Sequence, residues 1–145
     1  RLHERTGADH DRRLARRRIP IGAALLDQSV LAGAGNIFRA EALFVTAIDP
    51  LRPAGSLRLD ETAALWETIR TMMRGGVRLG RIVTREPAEL GARSRGSIRS
   101  ADALYVYKRQ SCVRCQGPIA SAEIGGRSLY WCPGCQPGGV IRGEA

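Results

Sequence analysis

The sequence predicts a mainly α-helical domain that is followed by a small β-hairpin carrying four cysteines. Apolar residues recur at helical spacing through the first half of the chain. The cysteines form two Cys-x-x-Cys pairs near the C-terminal end, and the Gly125-Gly126 dipeptide between the pairs is a hairpin turn signal. A Gly/Ser/Arg-rich stretch at 91–100 indicates a linker. We therefore predict a helical domain over 1–100, a cysteine-bearing unit over 101–139 and a tail over 140–145.

The first predicted helices are joined by a glycine turn. Residues 9–18 form a polar, arginine-rich segment that is expected to be a solvent-facing helix. Pro20 opens a buried helix that ends at the turn Gly33–Asn36, because glycine is the usual residue just past a helix end. Asn36 is predicted to cap the next helix, and Asp49-Pro50 to end it.

A third helix and a strand complete the prediction. Asp60 is the expected N-cap, and Gly75-Gly76 is expected to weaken the helix near its end. The apolar stripe predicted to face the core comprises Trp66, Ile69, Met73 and Val77. After the 91–100 linker, residues 104–107 are predicted to be a strand that enters the cysteine unit.

The charge of the chain indicates nucleic acid as a partner. The net charge is +9 over 145 residues, and Lys108 is the only lysine among 23 basic residues. Codon bias in a GC-rich genome would explain arginine in place of lysine, but not the excess over 14 acidic residues. No apolar run approaches the roughly 20 residues that a membrane span needs. We expect a cytoplasmic protein without membrane contact, in which cysteines favour zinc over disulfides.

The four cysteines have the spacing of a zinc ribbon. Sixteen residues separate Cys115 from Cys132, and the full set is Cys112, Cys115, Cys132 and Cys135. Four thiolates hold one zinc ion tetrahedrally and leave no position for chemistry, so the expected cofactor is a single structural Zn²⁺. The alternative is four unrelated buried cysteines. Both histidines, His3 and His10, lie far upstream and are poor ligand candidates.

Two features are candidates for phosphate binding. Arg127 directly follows the predicted hairpin turn, where a guanidinium would project from a rigid tip; the alternative is an ordinary exposed arginine. The turn Gly33–Asn36, with Gly35 at its centre, offers free backbone N–H groups at a helix start, which form a natural anion site. A plain connection between two helices is the alternative interpretation of that turn. The next helix is mostly apolar, so backbone contact is favoured over base readout.

These segments resemble a known family. Residues 25–30 (LLDQSV) and 32–41 (AGAGNIFRAE) are similar to the helix–two-turn–helix of the formamidopyrimidine-DNA glycosylase and endonuclease VIII family. Residues 106–109 (VYKR) up to Cys112, with 126–136 (GRSLYWCPGCQ), resemble its C-terminal zinc finger, and the second run leans toward the endonuclease VIII branch. Both motifs occur in the family's order, and the resemblance covers essentially the whole chain.

The resemblance implies the C-terminal half of a bifunctional DNA glycosylase and AP lyase that removes oxidised bases in bacterial base excision repair. Asn36 matches the family's asparagine that grips the phosphate flanking the lesion in double-stranded DNA. Arg127 matches the zinc-finger arginine that grips phosphate at the same place, to which a role in the second, δ-elimination step is also assigned. Because a guanidinium is not deprotonated in proteins, stabilising the departing phosphate is the more physical role. The implied protein is monomeric and nucleoid-associated.

The family's nucleophile, an N-terminal proline amine, and the glutamate beside it belong to a preceding domain of the same protein. We expect this polypeptide alone to have no base-excision activity, because Lys108 and the terminus at Arg1 are the only primary or terminal amines it offers. The alternative function is a stand-alone noncatalytic zinc-dependent DNA-binding module, which an upstream Met-Pro-Glu reading frame would exclude. A zinc-ribbon transcription or translation factor fits less well, because a helical domain precedes the ribbon. If the two units are separable, chelation should unfold the part after residue 104 and spare the helices.

Overall fold

The computed structural model describes residues 18–25 and 35–137. Helices and one antiparallel hairpin make up the regular structure of these ranges: α1 Ile21–Ala24, α2 Gly35–Val45, α3 Leu59–Leu79, α4 Pro87–Leu90, β1 Ala120–Ile124 and β2 Arg127–Trp131. Nearly all of the helix predicted over 9–18 falls outside the described residues, as does the second half of the helix predicted after Pro20. None of the described helices is long and apolar enough to cross a membrane.

Helix α2 is the centre of the fold. Its eleven residues are mostly apolar, and eight of them are buried. A helix that is apolar on all sides has to be covered on all sides. One side of α2 packs on α1 and α3, and the opposite side packs on the cysteine unit. The two predicted units therefore meet on the same helix.

The first cluster joins the helices α1, α2 and α3. Its buried members are Ile21, Ala24, Leu25, Ala42, Leu43, Ile48, Leu65 and Ile69. Trp66 and Met73 pack at its edge, as the predicted stripe of α3 requires. The prediction is wrong for Val77, which is 85% exposed.

Both ends of α2 differ from the prediction. The helix already begins at Gly35, so Asn36 lies inside its first turn and is not the N-cap. The helix ends at Val45, because Ala47 takes the left-handed conformation with φ 59°. The N–H of Ile48 donates to the carbonyl of Leu43 (2.9 Å), which closes a Schellman motif with alanine in the place of glycine.

Helix α3 begins two residues earlier than predicted. Arg58 is the residue before its first turn, and Asp60 is already helical. The Glu61 carboxylate accepts the Arg58 backbone N–H (2.9 Å), so a glutamate three residues on satisfies the N-cap amide. Gly75 and Gly76 do not end the helix, which continues to Leu79 and terminates at Gly80 with φ 74°.

The predicted linker at 91–100 is mostly exposed, but it has local structure and is anchored by one buried residue. It contains a 3₁₀ turn at Arg95–Ser97, and Ile98 is 3% exposed. Ile98 clusters with Val83 and Ala103. The Arg81 guanidinium donates to the carbonyls of Gly96 (3.2 Å) and Ile98, which ties the segment to the end of α3.

The strand predicted over 104–107 does not form. The Glu41 carboxylate on α2 accepts the backbone N–H groups of Tyr105 (2.7 Å), Val106 (2.8 Å) and Tyr107 (3.0 Å). The Thr84 hydroxyl also donates to it. A buried side chain thus takes the donors that a neighbouring strand would have used, and the prediction is wrong for that reason.

A second cluster joins α2 to the cysteine unit. Its buried members are Ala40, Phe44, Tyr105, Val106, Cys112, Ile124, Leu129 and Cys132. Phe44 stacks on Tyr105 with ring centroids 5.0 Å apart. The guanidinium of Arg114, within the first cysteine pair, lies 4.6 Å from the Tyr105 ring centroid and donates to Glu89 on α4 (2.8 Å). The boundary between 1–100 and 101–139 remains a prediction, but apolar packing continues across it.

Candidate nucleic-acid interface and metal centre

The four cysteines meet at one point. Their sulfur atoms all lie within 4.8 Å of one another. The Sγ atoms of Cys112 and Cys135 are 3.8 Å apart, and those of Cys115 and Cys132 are 3.5 Å apart. Ligands about 2.3 Å from a tetrahedral zinc ion stand about 3.8 Å from each other. The cluster therefore fits Zn²⁺ in size and in ligand chemistry.

Backbone amides favour thiolates at two of the cysteines, whereas burial and the neighbouring thiols oppose thiolates unless a cation is present. The Arg114 N–H donates to Cys112 Sγ (3.3 Å) and the Cys135 N–H donates to Cys132 Sγ (3.4 Å), which favours thiolates at these positions. Burial raises the pKa of the Cys132 thiol, and burial together with the neighbouring thiols raises the pKa of Cys135 to about 12. Four thiolates cannot crowd together without a cation, and a divalent metal supplies that charge.

The hairpin carries Arg127 where the sequence predicted it. Gly125 and Gly126 have φ values of 73° and 84°, the pair of positive values that a type I′ turn needs. Ile124 pairs with Arg127 across this turn, and β2 leads to the second cysteine pair. The Arg127 side chain is exposed and makes no hydrogen bond or ion pair with the described part of the chain.

Asn36 lies directly against the hairpin. Its Nδ2 donates to the carbonyl of Ser128, the residue after Arg127 (2.8 Å). Its Oδ1 accepts from the Nε of Arg39 (2.9 Å), and these two contacts fix the orientation of the amide. The backbone of Arg127 is thereby held close to Asn36, which lies 91 positions earlier in the sequence. Gly35 starts the helix beside them, whereas Gly33 and Ala34 lie outside the described residues.

Arg39 joins the helix to the hairpin, and sequence reasoning missed it. It is fully buried. Its Nη1 donates to the carbonyls of Gly22 (2.6 Å) and Ile124 (2.8 Å), and its Nη2 donates to the carbonyl of Arg127 (2.9 Å). Burial, with a contribution from the Arg127 charge, lowers the pKa of Arg39 to about 10, so the group remains protonated at neutral pH. The two guanidinium groups make this end of the molecule strongly cationic.

Gln136 ties the metal centre to the helices, and it was also missed. It follows the last cysteine directly and is 1% exposed. Its Nε2 donates to the carbonyl of Ile48 (3.0 Å) and its Oε1 accepts the N–H of Cys132 (2.8 Å). A zinc ion that holds the second cysteine pair would therefore also hold the chain after α2.

Two family models match the chain. The model described as the formamidopyrimidine-DNA glycosylase H2TH domain covers residues 2–87. The model described as a zinc finger found in FPG and IleRS covers residues 110–138, which include all four cysteines.

Similar proteins come from bacteria. Endonuclease 8 1 of Mycobacterium tuberculosis is 39% identical over 127 residues, covering 86% of this chain and 47% of that protein. The formamidopyrimidine-DNA glycosylase of Thermomicrobium roseum is 40% identical over 128 residues, covering 86% and 43%. The chain thus spans about half the length of the curated relatives it matches.

Solved structures agree with this result. The MutM (Fpg) protein of Thermus thermophilus superposes with a TM-score of 0.65 at 33% identity, covering 88% of this chain and 48% of that chain. MutM in complex with DNA containing carbocyclic 8-oxo-G superposes with a TM-score of 0.64 at 26% identity, covering 87% and 45%.

Proposed function

The chain belongs to the formamidopyrimidine-DNA glycosylase and endonuclease VIII family, and on that premise we propose that it is the DNA-binding half of a bifunctional DNA glycosylase and AP lyase that removes oxidised bases. The substrate is double-stranded damaged DNA. The observation that carries the proposal is the contact between α2 and the hairpin, which sets Asn36 beside Arg127. A net charge of +9 favours binding to the phosphate backbone.

Asn36 and Arg127 bind the phosphate next to the damaged nucleotide. One Nδ2–H of Asn36 is engaged by the Ser128 carbonyl, and the amide has a second N–H to give to a phosphate oxygen. The N–H groups in the first turn of α2, beside Gly35, add the favourable end of the helix dipole. The Arg127 guanidinium can hold two oxygens of one phosphate. During δ-elimination this fixed positive charge stabilises the departing phosphate, so no proton has to leave the guanidinium.

One zinc ion with a structural role completes the proposal. The four sulfurs fill a tetrahedral shell and leave no open position for a water or a substrate. When bound, the ion fixes the two cysteine pairs. The hairpin between those pairs then presents Arg127 from a rigid tip.

The parent enzyme acts as a monomer on the bacterial nucleoid in the cytoplasm. The similarity to Endonuclease 8 1 favours the endonuclease VIII branch, in agreement with the YWCPGCQ run at residues 130–136.

Substitution of the two phosphate ligands tests the proposal. Arg127→Ala and Asn36→Ala should each weaken binding to duplex DNA that contains a tetrahydrofuran abasic analogue, and should do so for every flanking sequence. The slope of log K against log salt should become shallower by about one for Arg127→Ala, because one phosphate contact is lost. Arg70→Ala, which removes an exposed arginine from α3, serves as the matched control and should leave the slope near that of the parent. Equal slopes for Arg127→Ala and the parent chain would reject the assignment.

The catalytic amine comes from outside these 145 residues. Schiff-base formation with the opened sugar needs a positioned, unprotonated amine. Lys108 is the only lysine, and it is exposed beside the hairpin. The purified polypeptide should therefore not incise duplex DNA containing thymine glycol. Turnover above the level without enzyme would contradict this expectation.

A further inference from the structure

Lys108 occupies a position that usually belongs to glycine. The Arg109 N–H donates to the Val106 carbonyl (3.1 Å), which closes a β-turn with Lys108 as its third residue. Lys108 has a φ of 58° there. Turns with a positive φ at the third position favour glycine, because a side chain in this conformation meets its own backbone. Ala47 and Gln116 also have positive φ values, so the role of the Lys108 side chain has to be argued from the surroundings of its ammonium.

Lys108 also differs in residue type from the other cationic residues of the chain, which are arginines. Of 23 basic residues only Lys108 is lysine. The neighbouring Arg109 has a structural role, since it donates to the carbonyls of Leu104 (2.8 Å) and Ala101 (2.9 Å). Lys108 is exposed and forms no ion pair with a carboxylate of the described ranges. Its ammonium lies 5.7 Å from the centroid of the preceding ring, that of Tyr107.

A row of contacts leads from Asn36 to Lys108. Asn36 bonds to the Ser128 carbonyl on β2. Two residues along the same strand, Tyr130 packs edge-on against Tyr107 with ring centroids 5.4 Å apart. Tyr107 in turn carries the ammonium of Lys108 above its ring. The row therefore runs along β2, away from the hairpin turn that carries Arg127.

We propose that Lys108 binds a backbone phosphate on the same DNA strand as Asn36 and Arg127, further along that strand. This inference rests on the proposed function. The compact ammonium of Lys108, on a flexible side chain, suits a single phosphate oxygen at the edge of an interface. The planar guanidinium of Arg127 binds the phosphate next to the damaged nucleotide. Glu123, which pairs with Ser128 across the hairpin, is the acidic group nearest to this row in the sheet register.

Lys108→Gly gives a sharp test, because it removes the charge and at the same time relieves the backbone. The variant should unfold at a temperature no lower than that of the parent chain. Its affinity for the tetrahydrofuran duplex at about 0.1 M salt should fall about threefold to tenfold, and the slope of log K against log salt should become shallower by about 0.9. Lys108→Arg keeps the charge and should retain the parent slope.

Arg70→Gln is the control for net charge, since it removes one positive charge from an exposed part of α3. If the slope of log K against log salt becomes as shallow in Arg70→Gln as in Lys108→Gly, the effect comes from the net charge of the chain. That outcome would overturn the inference. If the parent chain binds the duplex and Lys108→Gly shows the same salt slope as the parent, the inference is overturned but the proposed function is not. A parent chain that does not bind the duplex would overturn both the inference and the proposed function.

Discussion

At the scale of single residues, the candidate interface depends on Arg39. One buried guanidinium bonds Asn36 and the carbonyls of Gly22, Ile124 and Arg127. The sequence held a signal for it, because a charged residue in an otherwise apolar helix has to be buried with partners. Those partners could not be predicted, since two of them lie 85 and 88 residues away along the chain. The cysteines were predictable because their spacing is local.

Replacing Arg39 should separate the hairpin from α2. Arg39→Met leaves buried carbonyls without donors, and Arg39→Lys cannot reproduce the planar fork that reaches several acceptors. We expect each variant to lower the free energy of unfolding by about 3 kcal/mol in the zinc-loaded chain. Denaturant unfolding measures this change.

The control for Arg39 is Arg99→Lys, because Arg99 is exposed and its one ion pair within residues 18–25 and 35–137 is with nearby Asp102. It should unfold like the parent chain. DNA binding gives a second readout: the Arg39 variants should lose the contribution of Arg127 to the salt slope, even though Arg127 itself is unchanged. If Arg39→Lys has the same free energy of unfolding and the same salt slope of DNA binding as the parent chain, the planar guanidinium of Arg39 is not needed.

At the scale of elements, sequence patterns located α2, α3 and the hairpin, but they failed where a distant side chain decides the backbone. Residues 104–107 have strand-forming side chains, yet Glu41 takes their N–H groups. The 91–100 stretch has the composition of a linker, yet Arg81 and the burial of Ile98 hold it in place. The Gly125-Gly126 turn was predictable, because its two positive φ values need only glycine. Local residue preferences therefore predicted the turns and the helix interiors. Long-range hydrogen bonds determined the backbone conformation of the other segments.

At the scale of the whole molecule, the cysteine unit and the helices share a core. Ala40 and Phe44 of α2 lie in the same buried cluster as Cys112 and Cys132. Gln136 adds a hydrogen bond from the second cysteine pair to the carbonyl of Ile48. Division at residue 104, which the sequence suggested, separates residues that are in contact. Losing the zinc ion should therefore affect the helices as well.

Zinc removal should unfold the chain in one transition, contrary to the expectation from sequence that the helices would be spared. Zinc contributes on the order of 10 kcal/mol to the folding of comparable sites. The net stability of a small domain is about 5–15 kcal/mol. Because the apolar face of α2 would also lose its cover, the remaining helices have little stability of their own.

The fluorescence of the two tryptophans can report separately on the unfolding of the helices and of the cysteine unit. Trp66 packs against the helical cluster and Trp131 packs against the shared cluster. Trp131→Phe leaves Trp66 as the probe of the helices, and Trp66→Phe leaves Trp131 as the probe of the hairpin. During titration with a zinc chelator, the fluorescence of both variants should change at the same chelator concentration, and added zinc should restore both signals. If the Trp66 signal stays native while the Trp131 signal is lost, the helices fold independently and the shared cluster does not couple the two parts.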